Sequence, residues 1–159
     1  MWMLAMLCVL AVAIVGGATT FPPDVAEALR TSQHLYVATK RKDGTESARA
    51  PIWFMYDGTA VYFTTGPGTH KATRIAHGSP LLVWVGSENG PHFTGKAEIL
   101  QDPEVAAAAA AKMAPVYDQK YWIAWLGFFR PRPERARSGK TLIVKVTPEP
   151  PRDTSRAGF

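Results

Sequence analysis

Residues 48–71, ARAPIWFMYDGTAVYFTTGPGTHK, carry the clearest information about the fold. Two runs rich in aromatic and β-branched residues flank an Asp-Gly pair at 57–58, and this arrangement is the strongest short signal for a β-hairpin. Similar runs surround the Asp-Gly pair at 43–44 and the Asn-Gly pair at 89–90, and a sixth run alternates within 140–148. The sequence therefore predicts a mainly β domain of six short antiparallel strands, which favours a small barrel without open strand edges.

Helices are predicted before and between these strands. A short helix is expected in residues 21–29, and another begins at the Asp102 N-cap and continues through six alanines to about Ala114. A third is predicted in residues 117–129, where apolar side chains recur at helical spacing. These side chains suit burial against the sheet or, alternatively, a roof over a planar ligand: Trp122, Trp125, Leu126 and Phe129.

The two ends of the chain differ from the domain between them. Residues 1–18 are apolar and uncharged, which predicts a helix that is a signal peptide cut after Ala18 or a retained membrane anchor. The protein is then secreted, periplasmic or membrane-anchored, whereas a mis-called start codon would leave it cytoplasmic. The expected organisation is a leader at 1–19, a barrel domain at 22–148 and a disordered, proline-rich tail at 149–159.

Composition narrows the kinds of site to expect. Eighteen lysines and arginines outnumber thirteen aspartates and glutamates, so the formal charge of +5 favours anionic partners. Cys8 is the only cysteine, and the four histidines show no paired spacing. We therefore expect neither an intrachain disulfide nor a metal site.

A glycine-flanked loop at residues 66–68 leads into a helical stretch that Thr69 is placed to cap. The first turn of a helix exposes backbone N–H groups, and Lys71 and Arg74 add positive charge on one side. The spacing matches neither the P-loop nor the Rossmann glycine pattern. By residue type alone, the segment is either a phosphate site or a tight turn followed by solvent-exposed basic residues.

Arg49 is predicted to lie in the middle of a strand, among apolar neighbours. Its side chain either meets an anion or projects into solvent from the outer face of the strand. An arginine that meets an anion supplies a fork of donors suited to phosphate oxygens.

The stretch from His34 to Leu100 resembles the pyridoxamine 5′-phosphate oxidase-like superfamily of split β-barrel flavin and deazaflavin oxidoreductases. Three segments carry the resemblance in the order and spacing of that superfamily: KDGTESARAPIWF (42–54), VYFTTGPGTHKATRI (61–75) and FTGKAEIL (93–100). The resemblance implies a split barrel that forms a homodimer and holds FMN, or a deazaflavin in some branches, at the dimer interface.

The resemblance also implies a set of cofactor-binding residues, to which helical spacing adds Arg74. Arg49 falls on the superfamily's phosphate-binding strand arginine, and residues 50–53 fall where it lines the isoalloxazine ring. The full set comprises Arg49, Ala50, Pro51, Ile52, Trp53, the aromatic-threonine pair Phe63 and Thr64, the phosphate triplet Thr69, His70 and Lys71, and Arg74.

Three departures from the superfamily pattern bear on function. His70 stands where an arginine is usual, which places more of the phosphate charge on Lys71 and Arg49 and predicts weaker or pH-dependent binding. Phe54 stands where the oxidase often has lysine. The oxidase's C-terminal arginine and tryptophan elements for pyridoxal phosphate are not recognisable, so vitamin B6 oxidation is not expected.

The implied function is an FMN-dependent oxidoreductase of unknown substrate, in which the flavin transfers hydride. The alternatives are a deazaflavin-dependent reductase and a non-catalytic flavin- or haem-binding protein of the same fold. No catalytic residue stands out. Four side chains are candidate general acids, although such residues are more often structural: Tyr36, Tyr56, His92 and Tyr117.

A basic cluster follows the last predicted helix and consists of Arg130, Arg132, Arg135, Arg137 and Lys140. It is a solvated loop, or it borders the flavin groove and attracts an anionic substrate or a deazaflavin tail, or it meets anionic lipid. Nucleic acid is not expected, because the nearby aromatic residues cluster as a core does and do not alternate with the charges.

Overall fold

The computed structural model describes residues 19–123, 126–127 and 129–150. The predicted leader at 1–18 and the tail beyond residue 150 therefore lie outside the described residues. Among the helices that are described, none is both long enough and apolar enough to cross a membrane.

The described part of the chain contains four α-helices and seven β-strands. The helices are α1 (Pro23–Thr31), α2 (His70–Ala76), α3 (Pro103–Lys120) and α4 (Pro133–Arg137). The strands are β1 (Leu35–Thr39), β2 (Ala50–Ile52), β3 (Met55–Tyr56), β4 (Val61–Thr65), β5 (Leu81–Val85), β6 (His92–Ile99) and β7 (Leu142–Pro148).

The seven strands form one antiparallel sheet in the order β2-β1-β5-β6-β7-β4-β3. Its two edge strands, β2 and β3, are consecutive in the chain and separated only by Trp53 and Phe54. The two edges therefore meet at this bend, and the sheet curls into a barrel. The mainly β, split-barrel class predicted from the sequence is confirmed.

The strand count rises from six to seven because the run predicted as one strand is divided at the bend. The backbone N–H of Phe54 donates to the Tyr121 hydroxyl at 3.0 Å. The side chain of Tyr121, the residue that follows α3, thus takes the place of a neighbouring strand at this position. On either side of it, β2 and β3 pair with different strands.

Two hydrophobic clusters share β7. Val144 and Val146 belong to the cluster inside the barrel, whereas Ile143, on the other face of the strand, packs with α3. The helix contributes small residues at this contact, including Ala106 and Ala110, which allow its backbone to approach the barrel closely. Helix α3 therefore covers the outside of the barrel and brings its C-terminal end to the β2–β3 bend.

The predicted helix boundaries in this region are wrong. Helix α3 does not end near Ala114 but continues through Pro115 to Lys120, and the described residues within 122–127 form turns and 3₁₀ geometry. Tyr117 and Tyr121 take the buried positions, one helical turn apart. Three side chains predicted to pack on the sheet are consequently exposed, at 77%, 50% and 76% for Trp122, Leu126 and Phe129, while Trp125 lies outside the described residues.

Candidate functional site

The bend between β2 and β3 carries an aromatic platform. The Trp53 indole lies parallel to the Tyr121 ring, with centroids 4.2 Å apart and 5° between the planes. The Tyr121 hydroxyl accepts from Phe54 N and donates to the Gln33 carbonyl at 2.5 Å. The Tyr117 hydroxyl donates to the Trp53 carbonyl at 3.0 Å. Two tyrosines from the end of α3 therefore hold both the ring and the backbone of the bend.

Both tyrosine hydroxyls remain protonated at neutral pH. Burial raises the pKa of Tyr121 to about 12 and the pKa of Tyr117 well above its ordinary value, because the ionised phenolate would be poorly solvated. Tyr117 was a candidate general acid, but its hydroxyl proton is directed at a backbone carbonyl. Its position indicates a structural role.

An aromatic recess of about 350 Å³ opens beside the platform. Rings and apolar side chains form most of its wall: His34, Pro51, Ile52, Trp53, Thr64, Tyr117 and Phe129. The Phe129 ring stands edge-on to Trp53, with centroids 5.7 Å apart and 75° between the planes. A recess with such walls suits a planar aromatic ligand.

A cationic cavity of about 480 Å³ adjoins the recess and shares Thr64 and Phe129 with it. Four basic side chains line it together with the strand end and loop of β4: Thr64, Thr65, Gly66, Gly127, Phe129, Arg130, Pro131, Arg132, Arg135, Lys140 and Thr141. The basic cluster predicted from the sequence therefore borders the recess, with the exception of Arg137, whose guanidinium pairs with Glu104 at 2.7 Å.

The cations of this cavity differ in how they are neutralised. Arg130 forms a two-pronged pair with Asp118 at 2.9–3.1 Å, and this hydrogen bonding lowers the pKa of the Asp118 carboxyl. Arg132 donates to a backbone carbonyl at 3.4 Å, and Arg135 donates to a threonine hydroxyl at 3.3 Å. Because these two acceptors are neutral, Arg132 and Arg135 keep charge that an anion can use.

Phe129 adopts a left-handed backbone conformation, with φ of 62°. A residue with a Cβ pays roughly 1–2 kcal/mol for this conformation, which glycine adopts freely. Such strain is concentrated at functional positions in proteins. Phe129 and Thr64 are the residues that line both the recess and the cavity, so the strained position lies at their junction.

The loop that precedes α2 is organised by Thr69, as the sequence predicted. Its hydroxyl accepts from Ala72 N at 3.2 Å, which caps the helix, and donates to the Gly66 carbonyl at 3.0 Å. The Thr65 hydroxyl lies 3.1 Å from it. Thr69 therefore shapes the loop with the same oxygen that the resemblance assigns to a phosphate.

Lys71 is half-buried near the barrel interior. Its Nζ lies 5.6 Å from the centroid of the Phe63 ring, which is itself fully buried. Burial lowers the pKa of Lys71 below its ordinary value, because the ammonium group is partly removed from water. Phe63 consequently contributes to the core, and Lys71 is a cation in a poorly solvated position.

Arg49 lies one residue before β2, so the prediction that it occupies the middle of a strand is wrong. Its guanidinium carbon lies 3.6 Å from the centroid of the Trp84 ring, and Nη1 donates to the Glu88 carbonyl. These contacts hold the side chain against the β5–β6 hairpin, at the end of the neighbouring strand pair.

The predicted site residues thus fall into separate groups. Pro51, Ile52, Trp53 and Thr64 meet at the aromatic recess. Ala50 pairs with Val37 in the sheet. His70 and Arg74 line another cavity, bounded by α2 and the loop that follows β1.

The sequence did not predict His34 as a lining residue of the recess, or Tyr121 as the support of Trp53. Tyr117 was predicted only as a candidate acid, and Phe129 only as a core residue or part of a roof over a planar ligand. The spacing of Tyr117 and Tyr121 by one helical turn was a usable signal, but only contacts from distant parts of the chain connect them to Trp53. Of the other candidate acids, Tyr56 donates to the Gly58 carbonyl at 3.1 Å. Within the described ranges, no group of three histidine, cysteine, aspartate or glutamate side chains is arranged to hold a metal ion.

The family model described as pyridoxamine 5′-phosphate oxidase matches residues 21–153. The chain belongs to the pyridoxamine 5′-phosphate oxidase family. This confirms the resemblance found in the sequence and extends it over the whole barrel and the basic cluster. No curated protein matches the chain.

Solved structures with the same fold come from proteins of different kinds. A Listeria innocua protein assigned to the pyridoxamine 5′-phosphate oxidases has a TM-score of 0.55 at 15% identity, covering 79% of this chain and 91% of its own. An F420 reductase has a TM-score of 0.54 at 21% identity, covering 82% and 97%. The haem storage protein HutZ of Vibrio cholerae has a TM-score of 0.56 at 12% identity, covering 83% and 92%. At these identities, the likeness establishes the fold.

Proposed function

We propose that this family member is an FMN-dependent oxidoreductase. The observation that carries the proposal is the junction at Thr64 and Phe129, where the aromatic recess opens into the cationic cavity. A planar ring with an anionic side chain matches both parts at once. Their volumes also fall within the range of roughly 300–1,000 Å³ that is usual for small-molecule sites.

Each part of the flavin has a counterpart in this arrangement. The isoalloxazine ring would lie in the recess against Trp53, whose backbone and indole are held by Tyr117 and Tyr121. The phosphate would meet Arg132 and Arg135, because arginine presents donors in a fork that fits phosphate oxygens. When bound, the flavin supplies hydride transfer, and the protein supplies its position and its surroundings.

Lys71 and Arg49 fall on phosphate-binding positions of the superfamily, which supports a second contribution to phosphate binding from these two residues. Lys71 is half-buried, and no carboxylate among the described residues pairs with it. A partly desolvated cation without a counter-ion gains most from a bound anion. Arg49 would have to leave the Trp84 ring to reach a phosphate, so its contribution depends on a movement of the side chain.

A deazaflavin is the second candidate cofactor. The observation that favours it is the number of basic side chains in the cationic cavity, which exceeds what one phosphate needs and suits a longer anionic tail. Haem is the third candidate, since His34 brings an imidazole to the wall of the recess. The F420 reductase and the haem storage protein HutZ share the fold, so binding of a deazaflavin and of haem should both be tested.

The family resemblance also favours a homodimer. A second copy covering the exposed Trp122 and Leu126 would remove apolar surface from water, which stabilises association. Sedimentation of the purified protein tests this, and a monomer at micromolar concentration would contradict it.

Titration of the cofactor-free protein with FMN tests the proposed function. The comparison uses Phe129→Ala and Val105→Ala, because both shorten an exposed apolar side chain and only Phe129 lines the recess. Loss of the Phe129 ring should raise the dissociation constant about tenfold, whereas Val105→Ala should leave it unchanged. Equal affinities in the two variants would contradict binding in the recess.

A further inference from the structure

A cavity of about 440 Å³ opens where the C-terminal ends of α1 and α3 approach each other beside β3. We call it the helix-end cavity. None of its described lining residues belongs to the aromatic recess, to the cationic cavity or to the cofactor-binding set that the resemblance implies. The lining combines buried apolar and exposed polar side chains: Leu29, Arg30, Thr31, Ser32, Gln33, Tyr56, Val116, Gln119 and Lys120.

The amine of Lys120 is held in the wall of this cavity. Its Nζ lies 3.3 Å from the centroid of the fully buried Phe54 ring and 5.6 Å from that of Tyr121. Attraction between an ammonium group and the face of a ring fixes the end of a side chain that is otherwise flexible. Lys120 is only half-buried, and its neighbours Thr31 and Gln119 are exposed, so the amine is reached from solvent through the cavity.

No carboxylate among the described residues forms an ion pair with Lys120. Asp118, two residues away, pairs with Arg130. Burial lowers the pKa of Lys120 to about 8, because the ammonium group is partly removed from water. A cation without a counter-ion in such a position loses its proton more readily, which frees the Nζ lone pair for nucleophilic attack.

The other charged and titratable groups around the cavity do not supply a counter-ion. Arg30 is a second cation in the lining, and its charge opposes that of Lys120. The Tyr56 hydroxyl donates to the Gly58 carbonyl, and the Tyr121 hydroxyl donates to the Gln33 carbonyl. Both phenols therefore act as hydrogen-bond donors to the backbone and offer no negative charge to the amine.

Arg30 gives the cavity a group that can hold an anion. Its Nη1 makes one contact of 3.4 Å with Glu27 Oε2 along α1, and both side chains are exposed. A single long ion pair in solvent contributes little, so most of the guanidinium donors are available to a ligand. Because Arg30 and Lys120 line the same space from two helices, a small molecule with both a carbonyl and a carboxylate matches this pair of groups.

We propose that Lys120 is a covalent modification site for small aldehydes that carry a carboxylate, with Arg30 holding the carboxylate. In the reaction, the unprotonated Nζ attacks the aldehyde carbon, and the C=O electron pair moves to the oxygen. That oxygen and the two hydrogens of the amine leave as one molecule of water, and a C=N bond remains between Lys120 and the carbon. The step is a condensation in which nothing is oxidised or reduced.

Reductive trapping with glyoxylate tests the proposal. The full chain is treated at neutral pH with glyoxylate and cyanoborohydride, which delivers hydride to the C=N bond and leaves a stable carboxymethyl group on Nζ. Peptide mass spectrometry then locates the label. Lys120 should be labelled about tenfold faster than Lys112, an exposed lysine of the same helix. Both rates come from one unaltered protein, so the comparison does not depend on the folding of a variant.

Arg30→Gln tests the recognition of the carboxylate. Acetaldehyde, which lacks a carboxylate, serves as the reference reagent, because a rate ratio cancels any change in the reactivity of the amine itself. The ratio of the glyoxylate rate to the acetaldehyde rate at Lys120 should fall about fivefold in the variant, since the charge-assisted hydrogen bond to the carboxylate is lost.

Equal labelling of Lys120 and Lys112 would overturn the proposal, because Lys120 would then be an ordinary surface amine. An unchanged rate ratio in the Arg30 variant would also overturn it, because the carboxylate would then not select the aldehyde. The reaction needs no flavin, so either result is independent of whether the proposed oxidoreductase function holds.

Discussion

The Trp53 indole and the Tyr121 ring lie parallel, 4.2 Å apart, at the point where the two edges of the sheet meet. The Tyr121 hydroxyl completes the contact by bonding to Phe54 N and the Gln33 carbonyl. The side chain that follows the last residue of α3 thus supports the Trp53 ring in the wall of the recess and satisfies the backbone where the barrel closes.

Removing this hydroxyl should destabilise the barrel. Tyr121→Phe keeps the ring but leaves the buried N–H of Phe54 without its acceptor, which costs about 1–3 kcal/mol in the free energy of unfolding. Chemical denaturation measures the change, with Tyr36→Phe on β1 as the control that loses a hydroxyl elsewhere. A cost below 0.5 kcal/mol would mean that water replaces the hydroxyl.

Because Phe129 has a left-handed backbone, replacing it by glycine or by alanine should affect stability differently, although both changes should weaken FMN binding. Phe129→Gly removes the strain and the ring, whereas Phe129→Ala removes only the ring. The glycine variant should therefore be more stable than the alanine variant by roughly 1 kcal/mol, while both bind FMN more weakly than the original protein. Equal unfolding free energies of the two variants would contradict the strained backbone.

The cationic cavity predicts which arginines contribute to cofactor affinity. Arg132→Ala combined with Arg135→Ala should weaken FMN binding by about 1.5–3 kcal/mol, because charge-assisted hydrogen bonds to phosphate are lost. Arg137→Ala is the matched control, since Arg137 pairs with Glu104 away from the cavity. Unchanged affinity in the double variant would remove the phosphate from this cavity.

The match of Lys71 and Arg49 to the superfamily's phosphate-binding positions leads to a separate prediction. Replacing either by alanine should weaken FMN binding by roughly 1.5–3 kcal/mol if each bonds to the phosphate. Fluorescence titration of flavin measures both variants. If neither affinity changes, Lys71 is only a half-buried cation beside Phe63, and Arg49 is only a partner of Trp84.

Lys120 predicts how stability depends on pH. Its Nζ lies 3.3 Å from the centroid of the Phe54 ring, and burial lowers its pKa from 10.5 to about 8. Between these two values the unfolded chain binds more protons than the folded protein, so the unfolding free energy should rise with pH across this window. After solvent screening, the gain is about 1–2 kcal/mol.

Comparison with Lys120→Met isolates this contribution. The difference in unfolding free energy between the variant and the original protein should change between pH 8 and 10.5 and stay constant below pH 7. Parallel stability curves across the whole range would show that the Lys120 amine titrates normally in the folded protein.

Local signals predicted most of the fold. The Asp-Gly pairs marked the hairpins, and the caps at Thr69 and Asp102 are present as expected. The break between β2 and β3 was not predictable, because it depends on Tyr121, which lies 67 residues from Phe54 in the chain. The end of α3 was misplaced for a related reason: burial of Tyr117 and Tyr121 outweighs the local disruption by Pro115.

The site was predictable only in part. Residues 51–53 and Thr64 line the recess, because the two edges of the sheet meet at the bend and bring β2 close to β3 and its neighbour β4. His34 and Phe129 join them through the folding of distant segments, for which the sequence offers no periodic signal. Arg49 lies away from the recess because its guanidinium packs on the Trp84 ring. This contact depends on the register of β5 in the sheet, which the sequence alone does not reveal.

The absorbance spectrum of the purified protein, together with the identity of any cofactor released on denaturation, tests the central claim most directly. An FMN-binding protein should show the flavin absorption bands and release FMN in a ratio near one per chain. A haem Soret band, a released deazaflavin, or a colourless protein that does not bind added FMN would contradict the claim.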